Sequence, residues 1–149
     1  MRGLYWEEWE IGATYESPAR TVTETDIVMF AGLSGDYNPL HVNEEYCKTT
    51  LFGGRVAHGP LVYAIAAGLL FQLHLYDDTL IAFLGFEDLR FTKPVKPGDT
   101  IRARIEVLEK RESSKPDRGV MKRRLQVLNQ RDEVVQEGVQ AFLLKRKAG

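Results

Sequence analysis

Pro60-Leu61-Val62-Tyr63-Ala64-Ile65-Ala66-Ala67-Gly68-Leu69-Leu70-Phe71 carries no polar side-chain atom except the Tyr63 hydroxyl. Proline is tolerated at a first helical position, because its missing N–H would be unpaired there anyway. The stretch therefore reads as a helix from Pro60 to about Leu75. A helix apolar on every side is a buried helix, and this one is too short for the ~20 residues of a membrane span. After Asp77-Asp78 the pattern changes. Leu80 to Thr92 is apolar and strand-like, and from Thr100 to Val107 apolar side chains alternate with charged ones. That alternation marks a strand with one buried and one wet face. Val120–Asn129 and Val134–Lys145 repeat it less regularly. Pro94 to Asp99 and Ser113 to Gly119 are turn-forming stretches. Consecutive strands with short turns predict an antiparallel sheet. The simplest packing curves that sheet around the apolar helix, an α+β layout, with an early strand near Thr14–Thr23 completing it.

Upstream, Thr23 and Asp26 form a capping-box pattern before Ile27, Phe30 and Ala31, predicting a helix from about Glu24 to Leu33. Asn43 is placed to cap a second short helix from Glu44 to about Thr50. The chain has 149 residues, 44% hydrophobic and 28% charged, with a net charge of -1. This is the composition of one globular domain, here taken as residues 1–149. Near-neutral charge argues for neither nucleic acid nor a membrane surface as partner. Bases concentrate in residues 90–124, twelve against five acids. They read as solvated strand faces or as a rim attracting a polyanionic small molecule, and no interleaved aromatics suggest nucleic acid. The single cysteine, Cys47, excludes a disulfide framework and reads as a buried thiol. The acidic start with Trp6 and Trp9 is not a signal peptide. A cytoplasmic location is expected.

Chemistry concentrates at Asp36 and His41, with Asn38-Pro39 between them. A carboxylate and an imidazole facing one cavity can share a water, one taking its proton while the other supplies a proton elsewhere. Asp-x-Asn-Pro is also good turn chemistry, so both readings stand at this stage. Pro39 pushes Asn38 toward extended geometry and predicts that no regular helix forms here. His58-Gly59-Pro60 sits where a loop meets the apolar helix. Unpaired N–H groups at such an end can hold a developing oxyanion; with Pro60 lacking one, Gly59 or Leu61 must donate. The other reading makes these residues a helix lead-in. His74 reads as structural, and the three histidines lack the spacing of a helical zinc site, so no metal is expected. Tyr5, Trp6 and Trp9 read as packing for an N-terminal arm.

Ser34-Gly35-Asp36-Tyr37-Asn38-Pro39-Leu40-His41 resembles the signature of the MaoC-like, (R)-specific enoyl-CoA hydratase family. Arg55-Val56-Ala57-His58-Gly59 looks like its second motif, and Phe91 to Thr100 like its strand–turn–strand segment. The resemblance implies a hotdog fold and a homodimer whose two sheets join edge to edge. It implies a catalytic pair, Asp36 and His41, an oxyanion donor at Gly59 and a supporting amide at Asn38. It implies water addition to a trans-2-enoyl-CoA, or the reverse, with CoA as part of the substrate and no resident cofactor. Either member of the pair could be the base. Lys93 and Lys96, in the third motif, are candidates for the CoA phosphates. One departure stands out: some relatives carry a serine on the central helix where this chain has Ala66-Ala67-Gly68. The rival functions are an acyl-CoA thioesterase and a non-catalytic acyl-CoA-binding subunit.

Overall fold

The computed structural model describes residues 2–148. Thr23 caps helix α1 (Glu24–Ser34): its hydroxyl accepts from Asp26 N at 3.1 Å, and the Asp26 carboxylate accepts from Thr23 N at 2.8 Å. Gly35 ends α1 in the left-handed region, at φ 78°. A short helix, α2 (Pro39–Val42), follows, where none was expected. Asn38 is indeed extended, with ψ 136°, but that is the geometry of an N-cap, and Pro39 takes the first helical position. The tolerance invoked for Pro60 applied here too. Helix α3 (Glu44–Lys48) is capped by Asn43, whose side-chain oxygen accepts from Tyr46 N at 2.9 Å.

The apolar stretch forms helix α4 (Gly59–Phe71). It ends about one turn earlier than expected, because the chain turns back at His74, where φ is 58°. His74 is therefore a turn residue, its ring nitrogen 2.7 Å from the Asp77 carboxylate. Six strands form one antiparallel sheet, the orientation expected, but the two strands joined by the Pro94–Asp99 turn are not neighbours: the first of them pairs with the last strand of the chain. β1 (Thr14–Glu16) and β2 (Arg20–Thr21) replace the single early strand, because Pro18 between them lacks the N–H that a continuous ladder needs. β3 (Leu80–Phe91), β4 (Thr100–Glu112), β5 (Arg118–Leu128) and β6 (Val134–Lys145) are long. The sheet order is β1-β4-β5-β6-β3, all antiparallel, with β2 also on β4.

The sheet curves around α4. Ile101, Ala103, Ile105 and Val107 of β4, Leu125 of β5 and Leu144 of β6 share one buried cluster with Val62, Ala66, Leu69 and Leu70 of α4. Each of the Ile, Leu and Val side chains among them stabilises the fold by roughly 1.5–3 kcal/mol when fully buried. The N-terminal arm closes one side. Gly3 and Leu4 donate backbone bonds to Asp77 and Leu75, and Trp9 is fully buried against Tyr76. Trp6 donates from its indole to the Val120 carbonyl, between Lys110 and Arg146. The aromatic cluster thus serves the arm, as expected. One expectation about the basic block needs correcting. Arg123 does not lie on a solvated face; it points into the core beside Met121 and Leu125.

Candidate active site

Two segments meet at the N-terminus of α4. One is Ser34 to Val42, bent by the Gly35 turn and restarted by Pro39. The other is Val56 to Gly59. Val56 N donates to Leu40 O at 3.1 Å, and Ala57 N donates to Val95 O at 2.7 Å, so the second segment is stitched between α2 and the turn after β3. Arg55 clamps it further, donating to Glu24 and Glu44 at 2.6 Å each. Those two carboxylates hold the guanidinium above its ordinary pKa.

Asp36 does both things its sequence context allowed, one with each oxygen. Oδ1 accepts from Asn38 N at 3.1 Å and shapes the turn. Oδ2 lies 3.7 Å from His41 Nε2. That gap is too long for a direct bond. A water at ordinary hydrogen-bond distance from both would subtend roughly 80°, so one molecule can contact the two groups together. The His41 tautomer follows from its other nitrogen. Nδ1 is 2.7 Å from the Val56 carbonyl, which can only accept, so Nδ1 carries a proton and, in the neutral ring, the lone pair is on Nε2. The His41 side chain is 13% exposed and that of Asp36 51%. Asn38 acts on the backbone, its side-chain oxygen accepting from Leu40 N at 3.0 Å.

His58, given no role of its own in the sequence reading of His58-Gly59-Pro60, is central to the arrangement. It is 1% exposed and stacks on the His41 ring, with centroids 3.7 Å apart and planes 25° apart. Its Nε2–H donates to the Asp36 backbone carbonyl at 3.0 Å. Phe30 closes the far side with an edge contact at 4.8 Å. Gly59 follows directly as the first residue of α4, and its N–H has no acceptor among the described residues. Its carbonyl accepts from Gln136 Nε2 at 2.7 Å. A Cβ at Gly59 would stand 2.8 Å from the Phe91 ring. A cavity of about 420 Å3, mostly apolar, opens beside Gly59, walled by Val56, Ala57, Val62 and Phe91 among others. Asp36 and His41 do not line it; His41 meets its wall through the Val56 carbonyl.

Asp36, His41 and His58 offer nitrogen and oxygen atoms all within 4.8 Å of one another. The two imidazoles are stacked, with ring planes 25° apart. Lys93 and Lys96 flank this region, and both amines are engaged, Lys93 with Glu133 and Lys96 with the Phe52 carbonyl. Cys47 is buried, its thiol directed at the Pro39 and Leu40 carbonyls at 3.2 Å; burial pushes its pKa up. No described helix is long and apolar enough to cross a membrane.

The family profile described as MaoC like domain matches residues 8–129. The chain belongs to the MaoC-like domain family. Among MaoC-like relatives, it is 41% identical over 103 residues to an (R)-specific enoyl-CoA hydratase of Rhodospirillum rubrum, covering 69% of each chain. It is 45% identical over 101 residues to Protein MaoC of Klebsiella aerogenes; those residues are 68% of this chain and 30% of that protein. A solved structure described as a monoamine oxidase regulatory protein from Archaeoglobus fulgius superposes with a TM-score of 0.93 at 41% identity, covering 99% of this chain and 98% of that one. A Mycobacterium tuberculosis protein described as having a double hotdog fold superposes with a TM-score of 0.85 at 25% identity, covering 99% of this chain and 47% of that one. The curved antiparallel sheet around α4 is the hotdog fold.

Proposed function

We propose that the protein is a hydro-lyase that adds water to a trans-2-enoyl-CoA, giving the (R)-3-hydroxyacyl-CoA, and catalyses the reverse dehydration. The observation that carries this reading is His41 Nε2, the ring nitrogen left free by the Val56 carbonyl, facing Asp36 Oδ2 at 3.7 Å, beside a helix N-terminus with a free Gly59 N–H.

In hydration, the pair holds one water. His41 Nε2 takes its proton as the oxygen bonds to the β-carbon of the enoyl group. The alkene electron pair moves through the α-carbon onto the thioester oxygen. Gly59 N–H, aided by the partly positive helix end, stabilises that oxygen most when its charge is greatest, which lowers the barrier more than it tightens ground-state binding. A proton delivered by the Asp36–His41 pair to the α-carbon completes the addition. The steps need no metal and no prosthetic group. The apolar cavity beside Gly59 accommodates one arm of the thioester. Lys93 at its wall is a candidate for the CoA phosphates, provided it leaves Glu133; Lys96 is the second candidate. The working unit is proposed as a homodimer joined along β3, the exposed edge of the sheet.

The test is loss of enoyl absorbance with crotonyl-CoA, run beside a free-thiol assay. Absorbance should fall with no thiol released, and Asp36→Asn should lower the rate about 1000-fold while remaining folded, within the range of acid–base contributions. Thiol release in its place would make the protein a thioesterase. Binding of acyl-CoA with no reaction on any chain would make it a binding subunit.

A further inference from the structure

On the inner face of β5, Met121, Leu125 and Val127 alternate as a buried strand should, and Arg123 occupies the position between them, 1% exposed. No carboxylate pairs with its guanidinium among the described residues. The charge is instead stacked over the Phe142 ring at 4.4 Å and lies 5.3 Å from the Tyr76 ring. Cation–π contacts offset only part of the cost of burying a charge. A positive charge therefore sits inside the sheet with no negative partner from the chain.

Two branches of hydrogen bonds leave it: one guanidinium N–H donates to the buried Tyr76 hydroxyl, and the other branch leads to α4. Arg123 Nε donates to Gln140 Oε1 at 2.8 Å, which leaves the Gln140 amide nitrogen as donor. That nitrogen donates to the Tyr63 hydroxyl at 3.0 Å. Tyr63 thus receives a bond, and its own O–H proton has no acceptor among the described residues. Each bond in such a chain polarises the next, so the terminal hydroxyl becomes a stronger donor. Tyr63 lies four residues beyond Gly59, on the same face of α4 one turn on. Helical side chains lean toward the N-terminus, here toward Gly59. Phe86 of β3 packs its edge against the Tyr63 ring at 4.9 Å, fixing the plane of the phenol and leaving it half-buried.

We infer that Tyr63, backed by Gln140 and Arg123, binds a carboxylate on the acyl chain of the substrate, and that the enzyme acts on short dicarboxylic acyl thioesters. This deepens the hydratase reading and rests on it. A thioester held at Gly59 N–H sends its acyl chain along the α4 face that carries Tyr63. A hydroxyl or ketone there would take the hydrogen bond, but only an anion also answers the unpaired guanidinium charge behind it. The polar contact that Ala66-Ala67-Gly68 does not supply then comes from one turn earlier in the same helix.

The experiment compares ligands of equal length. Calorimetric titration of the unmodified protein measures glutaryl-CoA against pentanoyl-CoA. Glutaryl-CoA should bind at least tenfold more tightly, and Tyr63→Phe should erase most of that preference. In turnover, the ratio of kcat/KM for glutaconyl-CoA over trans-2-pentenoyl-CoA should fall about tenfold in Tyr63→Phe. Equal binding of the two saturated thioesters by the unmodified protein, or a preference that survives in Tyr63→Phe, overturns the inference. If neither enoyl thioester is hydrated, the hydratase reading fails, while the binding ratio still decides the role of Tyr63.

Discussion

Gly59 shows what a single hydrogen atom can decide. Its N–H is unpaired because it opens a helix, and its Cα faces the Phe91 ring so closely that a methyl group would stand 2.8 to 3.1 Å from three ring atoms. Something must move in Gly59→Ala, and the adjacent oxyanion donor moves with it. A displacement of about 1 Å can cost 100-fold in rate. We expect kcat/KM of Gly59→Ala to fall by about that factor. Phe91→Ala in the same chain should recover part of it by removing the clash, as steady-state kinetics on the three variants would read. His58 belongs to the same scale. Through one buried ring and one backbone unit it touches the Asp36 carbonyl, the His41 ring and the Gly59 peptide. Its type and position were plain in the sequence, but its contacts reach His41, Asp36 and Phe30, 17, 22 and 28 residues away, and no local pattern encodes them.

At the scale of elements, strand and helix identity followed from periodicity, and boundaries followed from punctuation. α1 and α3 begin where their caps predicted. α2 was missed because Pro39 was read as a breaker and not as a first helical residue. The N-terminal arm is an element held by side chains more than by its own backbone. Glu8 receives bonds from Arg2 at 2.7 and 3.0 Å and from Tyr5 N at 2.8 Å, and these hold its carboxyl at about 2, down from 4.5. A carboxyl with a depressed folded-state pKa adds stability above its unfolded value and loses it as pH falls through the folded one. Glu8→Gln should therefore melt a few degrees below the native protein at pH 7. The gap should close as pH falls from about 4.5 toward 2. Thermal melts across that range check this, and a gap independent of pH would detach the arm's stability from this ionisation.

For the whole molecule, the decisive feature is an edge. β3 is twelve residues long and ends the sheet on one side. Ile81, Phe83, Leu84 and Phe86 are partly exposed on it, Leu84 at 50%. A long apolar edge strand invites pairing with another strand, and a second copy of β3 can pair with it about a two-fold axis, each copy presenting the same surface. Sedimentation should find a dimer of the 16.9 kDa chain, and Leu84→Lys should shift it toward monomer. A monomeric native protein would remove the proposed edge pairing.

The sequence alone determined the class of fold, because an apolar helix and strands alternating every second residue must pack against each other, although α4 buries only one side and leaves Pro60, Ala64, Gly68 and Phe71 exposed. It also marked Asp36, His41 and Gly59, since a carboxylate, an imidazole and a helix-opening glycine are visible as residue types. Tertiary structure decided which atoms of those residues are free. His41 Nε2 is available only because the Val56 carbonyl, fifteen residues away, occupies Nδ1. It also turned Arg123 from one more base in a basic stretch into a buried charge aimed through Gln140 at Tyr63. The physical reason is the same in both cases. A side chain's type is local, whereas its hydrogen-bond partners and its access to water are set by chain segments that only folding brings together.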